Sequence, residues 1–84
     1  GTLPDGRLVL VYEALRDGNR SVELRASDAA HSRWSEPIVL AADGATPRYI
    51  RRGDNALLTY TTFIDSVPYV HVVDPLPAIK GVLR

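Results

Sequence analysis

Apolar positions along this chain fall into short β-branched runs separated by turn residues, and helical spacing is scarce. The longest run, Leu8-Val9-Leu10-Val11-Tyr12, is continuous and is bounded by Pro4-Asp5-Gly6 and Asp17-Gly18-Asn19. Its length, residue types and flanking turns predict a strand buried on both faces. Ser21-Val22-Glu23-Leu24-Arg25 alternates with period two, which predicts a strand with one wet face. Gly and Asn between these runs tolerate positive φ, so residues 1–27 are expected to form an antiparallel hairpin. The stretch from Tyr12 to Arg16 is helix-friendly in composition. A single helical turn ending at Asp-Gly is marginal alone, so strand end and loop are expected there.

Four further runs follow. Glu36-Pro37-Ile38-Val39-Leu40 has its proline near the start, where a missing ladder donor is tolerable, and predicts an edge strand. Asp43-Gly44 turns the chain into Pro47-Arg48-Tyr49-Ile50-Arg51, and Gly53-Asp54-Asn55 turns it again into Ala56 to Phe63. Tyr69-Val70-His71-Val72-Val73 is the sixth run. Pro75-Leu76-Pro77 cannot continue a central strand, and residues 78–84 are too short to classify.

A shift of 48 positions lays residues 8–12 over 56–60, and without a gap sets Asp17 on Asp65 and Val22 on Val70. Strand, turn and strand coincide, although any two hairpins of a β protein overlay to some degree. A unit of about 40–50 residues with several strands is the period of propeller blades.

Composition narrows the function classes. Ten Lys+Arg balance ten Asp+Glu, which gives no electrostatic case for nucleic acid or an anionic membrane. The absence of cysteine removes disulfides, a thiolate nucleophile and thiolate-bound zinc together. No apolar run approaches the roughly 18 residues of a membrane-spanning helix. A chain this short buries only about 60–65% of its unfolded surface. It therefore needs very good packing or neighbours.

Leu3-Pro4-Asp5-Gly6-Arg7-Leu8-Val9-Leu10-Val11-Tyr12-Glu13, followed by Val22 to Asp28, resembles blades of the sialidase-like β-propellers, whose loops carry Asp-boxes of the form Ser-x-Asp-x-Gly-x-Thr-Trp. Residues 27–37, Ser-Asp-Ala-Ala-His-Ser-Arg-Trp-Ser-Glu-Pro, look like a degenerate box. Asp28, Ser32, Trp34 and Pro37 stand where the box pattern places them, and Ser27, Asp28 and Trp34 are the implied structural residues. Ala30 replaces the glycine, Ser27 lacks the spacer before Asp28, and Trp34 comes one residue late. In such a box a short polar side chain closes the turn while the tryptophan packs into the blade's own core. The other role for Trp34 is a sugar-stacking platform.

The resemblance covers roughly residues 3–74 and implies an all-β fold of antiparallel meander strands forming about two blades. Residues 1–42 are then strands two to four of one blade, residues 43–76 strands one to three of the next, and residues 77–84 a tail. A ring needs four or more blades. The chain is accordingly expected to be a piece of a longer protein. Its alternatives are a protomer that closes a ring with other copies and an independent small barrel or sandwich that binds a partner through an edge strand. The implied partners are carbohydrate and the remaining blades, from the same longer chain or from other copies, with no cofactor. The implied activity is glycoside hydrolysis at a site needing residues from other blades, and the alternative is a non-catalytic carbohydrate- or protein-binding module. A secreted or periplasmic location follows from the resemblance alone.

Glycosidases need a carboxylate, or a tyrosine activated by one, beside an oxocarbenium-like transition state. Glu13, at the end of an expected buried strand, is the catalytic candidate, with emergence into solvent as its plain alternative. Tyr12 beside it and Arg48, at the start of the expected innermost strand, are the substrate-binding candidates. A guanidinium suits a substrate carboxylate because it binds in a bidentate fork. Arg48 can equally be a surface arginine paired with an aspartate. His31 and His71 have no ligand spacing, so no metal site is expected.

Overall fold

The computed structural model describes residues 1–82. Six strands and one helical turn follow in order: β1 Val9–Arg16, β2 Asn19–Ala26, β3 Ile38–Ala41, β4 Ala45–Arg52, β5 Asn55–Ile64, β6 Val67–Val73 and α1 Leu76–Ile79. Every predicted run becomes a strand. The chain is all-β, with β1-β2-β3 forming one antiparallel sheet and β4-β5-β6 a second. β3 pairs with β2 alone, so Pro37 precedes an edge strand and interrupts no ladder.

The two sheets pack face to face. Leu3, Val9, Leu24 and Ala26 from the first share one buried cluster with Leu58 from the second and Ile79 from α1. The shortest dimension, 17 Å against 43 and 28 Å, fits two sheets about 10 Å apart and no third layer. Polar links tie the second sheet to the segment before β1 as well. Tyr49 Oη donates to the Thr2 carbonyl at 2.7 Å, and Arg51 Nη1 donates to Thr2 Oγ1 at 3.0 Å. Gly44 is set by a close approach: a Cβ there would lie 2.9 Å from Val22 Cγ2 and 3.2 Å from Ala41 Cβ.

The hairpins repeat residue by residue. Adding 48 to both members of each pair from Leu10↔Arg25 to Arg16↔Asn19 returns, pair for pair, Leu58↔Val73 to Ile64↔Val67. Both turns place two residues at positive φ, Asp17 and Gly18 at 53° and 82°, Asp65 and Ser66 at 50° and 66°. Such primed turns match the right-handed strand twist and fix the register. β4 supplies the second sheet with a strand before β5, and β3 supplies the first with a strand after β2. Neither sheet has both.

The structure departs from expectation in three places. Residues 8–12 are covered on one face only: Val9 is buried, while Leu10 is 50% exposed on the side away from the second sheet. β2 is the strand buried on both faces, with Ser21, Val22, Glu23 and Leu24 all inaccessible. It lies between β1 and β3, and side chains from both neighbours close over it. The expected loop at residues 12–16 is strand to its end, because a two-residue turn leaves Arg16 paired with Asn19.

The tail folds back over the first turn. Pro75 and Pro77 sit at the start of α1, where a missing N–H costs no helical bond. Ile79 enters the core, and the buried Arg7 guanidinium donates to the carbonyls of Ile79 (3.4 Å) and Val82. Residues 83 and 84 of the expected tail lie outside the described residues.

Candidate functional site

Tyr12 and Glu13 are neighbours in β1 and therefore point to opposite faces. On the outer face of the first sheet, Tyr12 Oη donates to Glu23 Oε1 at 3.2 Å and accepts from Arg25 Nε at 3.3 Å. Arg16 grips the same carboxylate with two prongs, Nε to Oε2 and Nη2 to Oε1, each at 2.8 Å. Glu23 is fully inaccessible, so this pairing satisfies a charge that burial would otherwise penalise. The Arg16 hydrogen bonds hold its pKa at about 2, overriding desolvation, and push the Arg16 guanidinium upward. A carboxylate held this strongly is a weak base toward Tyr12. Its chemistry here is orientation.

Glu13 does different work. Its Oε1 accepts the Thr46 N–H at 2.8 Å, bracing a β4 residue at φ 50° where the β4–β5 register shifts. It sits in mid-strand and exposed, not at the end of a buried strand. Arg48 is exposed on β4 opposite Thr59. The three residues are not brought to one place: Tyr12 faces out from the first sheet, Glu13 reaches β4, and Arg48 lies on the second sheet.

The loop at residues 27–35 is built around Asp28. Its carboxylate accepts the backbone N–H groups of Ser32 (2.8 Å) and Arg33 (3.3 Å), the Ser32 hydroxyl (3.0 Å) and Arg33 Nε (3.2 Å). These bonds, led by the Ser32 backbone, lower its pKa to about 2. Ser27 Oγ accepts the Leu8 N–H at 2.8 Å, tying the loop to the start of β1. Trp34 departs from its expected packing. It pairs with Ser27 but is 44% exposed, because Ser35, the next residue, takes the inward position and accepts the Ala26 N–H.

A cavity of about 440 Å³ lies between the first turn and the tail, with Leu3, Pro4, Arg7, Leu76 and Ile79 in its wall. None of Tyr12, Glu13 and Arg48 lines it. A smaller one of about 240 Å³ lies beside Arg20, Asp43 and Phe63. Among the described residues no helix is long and apolar enough to cross a membrane. No family model matches the chain, and no curated protein or solved structure is significantly similar to it.

Glu23, Arg16 and Arg25 escaped the sequence reading although Tyr12 did not. The signal was present in the Asp17-Gly18 turn. A primed two-residue turn sets Arg16 opposite Asn19, and counting back four pairs puts Tyr12 opposite Glu23. Arg7 pairs locally with Asp5, Nε donating to Oδ2 at 2.9 Å, but its burial was hidden because its other partners are carbonyls of the tail, more than seventy residues away.

Proposed function

We propose that the chain is a two-unit segment of a sialidase-like β-propeller that acts on carbohydrate, with the bond-breaking groups contributed by other blades. The observation that carries this reading is the 48-residue register identity of the two hairpins, each in its own sheet and packed face to face. The Asp28-centred loop, which follows the first hairpin where the blade resemblance expects an Asp-box, adds support. Catalysis from elsewhere accords with the separation of Tyr12, Glu13 and Arg48.

A second reading, a non-catalytic carbohydrate- or protein-binding module, draws on Glu13, whose carboxylate is engaged by the Thr46 N–H. Turnover of chromogenic glycosides by the full-length protein supports the first reading. Binding on a glycan array without turnover supports the second. Glu13→Gln keeps an oxygen for Thr46 and removes the charge. A fall in turnover by orders of magnitude at unchanged Tm would put Glu13 in the chemistry, and unchanged turnover leaves it a brace.

A further inference from the structure

The two sides of the repeating unit are not alike, and the chain buries one of each. The first sheet turns Val9, Val11 and Leu24 into the shared core. Their counterparts 48 positions on are Leu57, Thr59 and Val72, which with Ile50, Val70 and Phe63 form the outer side of the second sheet. The second sheet turns Leu58, Tyr60 and Val73 inward, and the counterparts of these are Leu10, Tyr12 and Arg25, on the outer side of the first sheet. The internal interface is therefore head to tail. One open surface of each kind remains, one at either side of the molecule.

The open side of the second sheet carries an exposed apolar patch, with Arg48 and Arg52 of β4 on the same side. Val70 is 72% exposed and Val72 61%, and Ile50, Leu57 and Phe63 are each about half exposed on the same side. Contiguous apolar surface of this kind marks an interaction site. Its counterpart within the chain already shows what it accepts: a sheet presenting Leu58 and Tyr60, whose equivalents Leu10 and Tyr12 are displayed outward on the first sheet.

We infer that a second copy of this chain docks the outer side of its first sheet, around Leu10, Tyr12 and Val39, onto the outer side of the second sheet, around Leu57, Val70 and Val72. The contact repeats the internal interface and is heterologous, so both partners keep one free face and assembly continues, into a ring if the rotation closes and into a filament if it does not. This inference rests on the repeat alone. Its test involves no sugar, so failure leaves the carbohydrate reading to its own assay.

The experiment is sedimentation velocity of the 84-residue chain from micromolar to millimolar concentration, with Val70→Lys and Leu10→Lys, each on a different open face. The wild-type mass should rise beyond a dimer with concentration. Each variant alone should stay monomeric, and their equimolar mixture should give a particle of twice the monomer mass and nothing larger, since one intact face of each kind survives. Circular dichroism checks that both variants keep their strands, and Val72→Lys with Val39→Lys repeats the test on neighbouring positions. A wild-type chain that stays monomeric throughout overturns the inference. So does Leu10→Lys associating by itself, which would mean symmetric self-pairing of the apolar face, or a mixture that stays monomeric.

Discussion

The β1–β2 and β5–β6 hairpins share seven pairings outward from the turn, yet they solve the same central position differently. Opposite Tyr12 stands Glu23, buried and gripped by Arg16; opposite Tyr60 stands His71, its ring stacked on the tyrosine at 4.8 Å and 17° and hydrogen-bonded to Thr62 Oγ1 at 2.8 Å. The tyrosine is kept and its partner changed. Backbone register comes from the turn and the pleat, while the cross-strand pair adapts to whether the face is inside or outside. Tyr60 faces the shared core, where a stacked ring packs; Tyr12 faces outward, where a charged network closes over the strand.

Leu24 and Val72 are equivalent positions with opposite burial. Leu24 is fully buried, and Leu24→Ala should cost about 2–5 kcal/mol. Val72 lies on the open face, and Val72→Ala should change stability by no more than about 0.5 kcal/mol. Urea denaturation of both variants measures the difference. Comparable losses would mean that the apolar side of the second sheet is already covered.

Acid probes the carboxylates of the first sheet and its loop. The Glu23 pKa is lowered from 4.5 to about 2 and that of Asp28 from 3.8 to about 2. Both folded-state values lie below the unfolded ones. Their contribution is fully present above about pH 4.5 and is lost as pH falls toward 2. Tm followed over that range should fall, and the fall should be shallower in Glu23→Gln and in Asp28→Asn than in the wild type.

The turns differ by one residue that matters. Gly18 tolerates a φ of 82° freely, whereas Ser66 at 66° carries left-handed strain. Ser66→Gly should stabilise the chain by about 1 kcal/mol and Gly18→Ser destabilise it by about as much. Equal signs in the two melts would break the equivalence of the turns. Smallest is the brace at Glu13, whose counterpart in the second hairpin is Thr61. Glu13→Ala should cost about 0.5 kcal/mol through the lost Thr46 bond, and Glu13→Gln close to nothing.

Strand positions were legible because β-branched runs and Gly/Asn/Asp turns are local signals. Sidedness was not. Leu10 reads as core and is half exposed, while Glu23 reads as solvent-facing and is buried, because each depends on what a distant strand covers. The Arg16–Glu23 pair needs the hairpin register before it can be read. Trp34 turned outward because Ser35 took the inward place, a choice between adjacent residues that alternation alone leaves open. Of the candidate site, single residues were legible and their separation was not, since Tyr12 and Glu13 on opposite faces become distinct only once the strand runs through both.

The central claim is that one hairpin register occurs twice, 48 residues apart, in two sheets sharing a core. Solution NMR tests it directly. Cross-strand contacts should join Tyr12 to Glu23 and Tyr60 to His71, and methyl contacts should connect Val9 or Leu24 to Leu58 across the core. A β5–β6 register displaced by one residue, or hairpins with no contact between those methyls, would contradict it.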